Sequence, residues 1–61
     1  MMTETKMKIN EIRHQLSEAF HEVGHANEQV GRRNYLAAYF AAGRAKEALS
    51  AAHAALEKIQ D

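Results

Sequence analysis

An apolar repeat with alternating steps of three and four residues runs through the first half of the chain. It passes through Ile9, Ile12, Leu16, Ala19, Val23, Ala26 and Val30. Steps of three and four give the 3.5-residue period of packed helices, whereas a half-buried strand would alternate with a period of two. Because the chain also lacks proline and is rich in good helix formers, the sequence predicts an all-α protein.

A second apolar series begins shortly after the first but is out of phase with it. It passes through Tyr35, Ala38, Ala42, Ala45, Leu49, Ala52, Leu56 and Ile59. A repeat continued without interruption from Val30 would place Arg33 and Arg44 in the apolar seam. The two series therefore belong to two separate helices.

The phase changes at a short segment with the composition of a helix-to-helix turn. Gly31 suits the left-handed position just past a helix end, and Asn34 suits the N-cap of the next helix. Two arms of similar length around a short turn fold back as an antiparallel helical hairpin. The predicted single domain covers 1–61, with helix 1 over about 3–30, a turn over 31–34 and helix 2 over about 34–60.

The second helix is expected to bury little apolar area, because alanine dominates its seam. Alanine side chains let two helix axes approach closely but contribute little hydrophobic stabilisation each. A single hairpin of this kind gains too little on folding to be secure, and the chain has no cysteine for a disulfide. We therefore expect two copies to pair as a homodimeric four-helix bundle.

An apolar belt opens the second helix and provides the candidate protein-binding residues Tyr35, Leu36, Tyr39 and Phe40. Tyr35 is expected to face the hairpin seam, whereas Leu36 and Phe40 point away from it. A helix that is apolar on all sides is normally buried on all sides, so we expect Leu36 and Phe40 to be buried by another molecule. That molecule is either the second copy of a dimer or a different protein, and aromatic residues are frequent anchors of protein interfaces.

A basic turn, Arg32 and Arg33, supports an alternative function in nucleic-acid binding. Phosphate contacts supply most of the affinity in such complexes, and a dimer would double these charges. In architecture alone, a helical-hairpin dimer of this size resembles the plasmid RNA-binding proteins of the Rop type. A formal net charge of zero argues against a general nucleic-acid binder.

A stripe of histidines and glutamates follows the outer face of the first helix: Glu11, His14, Glu18, His21, His25 and Glu28. Such a stripe is typical of a solvated helix face, and the other interpretations are a divalent-metal site or a pH-sensitive contact. Within it, His21-Glu22-Val23-Gly24-His25 resembles the H-E-x-x-H motif of the zincin metallopeptidases. The longer metzincin motif requires a glycine and a third histidine where Glu28 and Gly31 stand. We predict no catalytic residue, metal or cofactor.

The segment from Tyr39 to Leu56 resembles part of a tetratricopeptide repeat. Tyr39, Gly43, Ala48 and Ala55 have the spacing of that repeat. The resemblance implies a helix break near Gly43. Because the apolar seam continues through this segment, we expect an unbroken helix instead.

The remaining features favour a non-catalytic role. The chain has no phosphate-binding glycine loop or nucleophile elbow, and no apolar run long enough to span a bilayer. By size and neutral charge, it resembles in type the small accessory proteins encoded by phages and plasmids. We expect a cytoplasmic regulatory protein that binds itself and another protein, with no membrane association.

Overall fold

Two helices packed against each other make up the structure, a computed structural model that describes residues 2–59, with side chains from residue 4 onward. α1 spans Met2–Gly31 and α2 spans Tyr35–Ile59, and no strand occurs within the described range. The predicted all-α helical hairpin is confirmed. The predicted end of helix 2 at residue 60 lies outside the described residues.

The turn between the helices closes with a hydrogen-bond pattern typical of helix C-termini. The Asn34 N–H donates to the Gln29 carbonyl at 2.9 Å, and the Arg33 N–H donates to the Val30 carbonyl at 2.9 Å. This pair of bonds is a Schellman motif, which requires a left-handed residue just past the helix. Arg33, with a φ of 61°, occupies that position. The prediction for Gly31 was therefore wrong, because α1 continues through Gly31 and the chain reverses two residues later.

The line along which the helices touch is rotated from the predicted seam. The α1 residues that are buried or half-buried along it are Ile12, Gln15, Ala19, Glu22, Ala26 and Gln29. Those of α2 are Ala37, Ala38, Ala41, Ala45, Ala48, Ala52, Ala55 and Ile59. α2 contributes mainly alanine to this line, and such small side chains permit a short interaxial distance.

The larger members of the predicted seam are consequently exposed beside this line. Ile9, Leu16, Val23 and Val30 of α1, and Tyr35, Ala42, Leu49 and Leu56 of α2, were expected in the hairpin core and are instead exposed. The buried apolar set comprises Ile12 and five alanines: Ala19, Ala38, Ala41, Ala45 and Ala52. Large apolar side chains thus contribute little to the core of one hairpin.

α2 runs without interruption through Gly43. The prediction of a continuous helix is confirmed, and the break implied by the tetratricopeptide resemblance does not occur. A Cβ added at Gly43 would meet no atom within 4 Å. The glycine therefore lies on an open surface of the helix rather than at a close contact.

Candidate functional site

The candidate site is the aromatic cluster, which consists of Tyr35, Leu36, Tyr39 and Phe40 on the first turns of α2. Their exposed fractions are 64%, 68%, 73% and 55%, respectively. Exposed large apolar residues are common singly, but four within six positions form a patch of the kind that marks interaction sites. The structure brings all four predicted residues onto one end of the hairpin.

Backbone hydrogen bonds fix where the cluster begins. Asn34 caps α2: its Oδ1 accepts a hydrogen bond from the Ala37 N–H at 3.4 Å, and its carbonyl accepts one from the Ala38 N–H at 3.1 Å. The same residue closes the Schellman motif of α1. Because Asn34 belongs to both helix ends, the cluster follows directly from a defined turn rather than from a loop.

The aromatic rings of the cluster contact each other. The Tyr39 and Phe40 ring centroids lie 5.6 Å apart with planes inclined by 76°, an edge-to-face arrangement. Together with Gly43 and Ser50, these rings line an open groove on the outer surface of α2.

A second apolar surface, here called the apolar face, runs along one side of the whole hairpin. Its members are Ile9, Leu16, Val23 and Val30 from α1 and Ala42, Leu49 and Leu56 from α2. The large side chains among them are 42–51% exposed. Val23, Ala42 and Leu49 line a common groove between the helices, so both helices contribute to the same side. Tyr35 was expected in the seam but lies where this face meets the aromatic cluster.

The opposite side of the hairpin is polar and carries an ion pair between the helices. Arg44 Nε lies 3.2 Å from Glu22 Oε2. The groove around this pair is also lined by Gln15, Glu18 and Glu47. The two sides of the hairpin therefore differ in chemistry, with aliphatic side chains on one and charged groups on the other.

The H-E-x-x-H stretch does not assemble a metal site in the structure. His21 and His25 are exposed on the outside of α1, whereas the Glu22 carboxylate turns inward to Arg44. Within the part of the chain that the structure describes, no three His, Cys, Asp or Glu side chains group as metal ligands. His14 pairs instead with Glu18 at 3.4 Å along the helix.

The two arginines of the basic turn differ in their surroundings. The Arg32 guanidinium lies 3.0 Å from a Glu28 carboxylate oxygen, one helical turn earlier. Arg33 is exposed and is itself the left-handed residue of the turn. One of the two charges predicted for phosphate contacts is thus paired with an acidic neighbour.

Comparison with protein-family models, curated proteins and solved structures found no significant match to this chain. Among the described residues, neither helix combines the length and hydrophobicity that crossing a bilayer requires.

Sequence reasoning missed the ion pair on the polar side of the hairpin. The Glu22–Arg44 pair joins two residues with separate interpretations, Glu22 in a zinc motif and Arg44 as a charge that an unbroken repeat would place in the seam. One signal could have found it: Glu22 lies three residues after Ala19, and Arg44 lies beside Ala45, so both flank buried positions.

Proposed function

We propose that this chain is a small, non-catalytic regulatory protein of the cytoplasm that pairs with a second copy as a four-helix bundle. It binds a different protein through the aromatic cluster. The observation that carries the protein-binding role is the exposure of Tyr35, Leu36, Tyr39 and Phe40 at 55–73% on consecutive turns of one helix. Leaving so much aromatic and aliphatic surface in water has a hydrophobic cost that a bound partner would remove.

The local structure of the cluster supports a role as an anchor. Aromatic side chains supply large contact areas with few rotatable bonds, so little conformational entropy is lost on binding. Here the Asn34 cap and the edge-to-face contact between Tyr39 and Phe40 order the cluster before any partner arrives. A preordered anchor binds more tightly than a flexible one of equal area.

The cluster also has the geometry to receive a partner helix. The groove lined by Tyr39, Phe40, Gly43 and Ser50 is open along the outside of α2. Gly43 leaves room for a partner backbone or side chain, because nothing lies within 4 Å of where its Cβ would be. An amphipathic helix placed in this groove would cover both rings.

Site-specific photo-crosslinking in cells of the source organism tests this role. A photoreactive phenylalanine analogue replaces Phe40, and the matched control places it at the exposed Ala54, fourteen residues later on the same stripe of α2 and outside this groove. We expect a covalent adduct with a different protein from position 40 and none from position 54. Adducts from neither position, or only a dimer of this chain from position 40, would contradict the proposed role of the cluster.

A further inference from the structure

We infer that a second copy of this chain covers the apolar face, so that two hairpins stack as the two layers of a four-helix bundle. This inference rests on the self-association in the proposed function and assigns it to a surface. The aromatic cluster then keeps Leu36 and Phe40 on the outside, where a different protein can reach them. Self-association and partner binding then use different side chains, and Tyr35 lies where the two surfaces meet.

The direction of the apolar stripes carries this assignment. In α1, Ile12, Ala19 and Ala26 face the neighbouring helix, while the interleaved Leu16 and Val23 face the open side. The apolar stripe of α1 as a whole therefore points diagonally, between α2 and the open side of the hairpin. That is the direction of the central axis in a four-helix bundle, where each helix contacts two neighbours.

The second helix repeats the same geometry on the same side. Ala38, Ala45 and Ala52 are buried against α1, while the interleaved Leu49 and Leu56 are about half exposed on the open side. Val23 and Leu49 line one groove, so the two diagonals converge on a common axis. Two helices supply half of the side chains around that axis, and a second hairpin supplies the other half.

The total surface of the chain is larger than that of a compact monomer of the same mass. A compact monomer of 6.9 kDa exposes about 4,000 Å², whereas this hairpin exposes 5263 Å². Its radius of gyration is 14.2 Å, compared with about 10.5 Å for a globular chain of this length. Elongation and surface of this degree are expected of one half of a larger body.

The hairpin has a long side on which a second copy can lie. Its Cα atoms extend over 48 × 14 × 11 Å, and the apolar face from Ile9 to Val30 runs about 32 Å along α1 at 1.5 Å per residue. A standard interface buries about 800 Å² per partner, and obligate homodimers bury more. The face presents aliphatic side chains at its centre, and Lys46 borders them in the groove lined by Val23 and Leu49, an arrangement typical of interfaces.

The period of the face favours a second copy over other occupants. Ile9, Leu16, Val23 and Val30 recur every seven residues, as do Ala42, Leu49 and Leu56 on the antiparallel helix. A surface with this period is complementary to another helix pair with the same period and length, which a second copy provides by symmetry.

The first test compares two charge substitutions by light scattering behind a sizing column at low micromolar concentration. Leu49→Asp places a carboxylate on the apolar face, and the matched control Ala51→Asp places one on an exposed position of the polar side. We expect a dimer mass for the wild type and for Ala51→Asp. For Leu49→Asp, we expect a dissociation constant raised by at least about 100-fold. Dimers of equal strength in both variants would overturn the assignment.

The second test needs no variant and is therefore independent of any folding defect. Carbene footprinting of the wild type should label Leu36 and Phe40 strongly and protect Val23 and Leu49. The reverse pattern in a dimer would move self-association to the aromatic cluster and contradict both this inference and the separate partner site. A monomer labelled on both surfaces would overturn this inference and leave partner binding by the cluster in place.

Discussion

Truncating Leu16 to alanine measures how much of the apolar face is buried in solution. In the hairpin alone, the Leu16 side chain is 42% exposed, so the substitution removes a little over half of a buried leucine. Complete burial of a leucine contributes about 1.5–3 kcal/mol, and the isolated hairpin therefore loses about 1–2 kcal/mol. In a two-layer bundle the same side chain is fully enclosed, and the loss rises to about 2–5 kcal/mol per chain.

The matched control is Leu36→Ala, which removes the same atoms from a side chain that is 68% exposed. Because Leu36 lies outside the proposed bundle, this control should cost less than about 1 kcal/mol. Both variants are measured by urea denaturation followed by circular dichroism at equal chain concentration. The assignment of the apolar face is refuted if Leu16→Ala costs no more than the roughly 1–2 kcal/mol expected of the isolated hairpin.

Four further substitutions follow from the described contacts. Arg33→Gly relieves the positive φ of 61°, and thermal unfolding should show a gain of about 0.5–1 kcal/mol; a loss would contradict the turn assignment. Ala41→Leu inserts a large side chain at a position with no exposed surface, which should cost about 1–3 kcal/mol in urea, so an unchanged stability would contradict close helix packing there. Gln15 Oε1 is buried without a partner among the described groups; Gln15→Leu should raise the denaturation free energy by about 1 kcal/mol, and a lower value would show that the amide is satisfied. Phe40→Ala should weaken binding to a crosslinked partner by about 2 kcal/mol in calorimetry while leaving helix content unchanged, and undiminished affinity would remove Phe40 as an anchor.

The helices and their order were predictable from the sequence, because the 3.5-residue repeat has no counterpart in strands and its phase breaks only once. The contact line within the hairpin was not predictable from the same repeat. Ile12 and Ala19 were placed correctly, whereas Leu16 and Val23 were not. An apolar stripe reports which side of a helix avoids water, but it does not distinguish a contact inside the hairpin from a contact with a second layer.

The turn was also predicted correctly at one residue and wrongly at another. Asn34 was predicted as the N-cap and caps α2 through its side chain. The left-handed residue was expected at Gly31, the residue that adopts this conformation at least cost, but it is Arg33. The Schellman bonds require the left-handed residue immediately before Asn34. The position of the cap thus overrides the intrinsic preference of glycine.

The aromatic cluster was found as a set of residues, but the surface it forms depends on the structure. Leu36 and Phe40 point away from the hairpin, as predicted, whereas Tyr35 is exposed rather than in the seam. This difference has the same origin as the rotated contact line, since Tyr35 continues the stripe of Ala42 and Leu49. The identity of the partner is a property of a different molecule and is therefore not encoded in this sequence.

The most direct test of a two-layer bundle is the concentration dependence of its thermal unfolding. Dissociation and unfolding are coupled in such a dimer, so dilution lowers the melting temperature. With an unfolding enthalpy of about 0.7 kcal/mol per residue, a hundred-fold increase in concentration should raise the Tm by about 10 °C. A Tm independent of concentration, with full helix content and the mass of one chain, would contradict the pairing of hairpins.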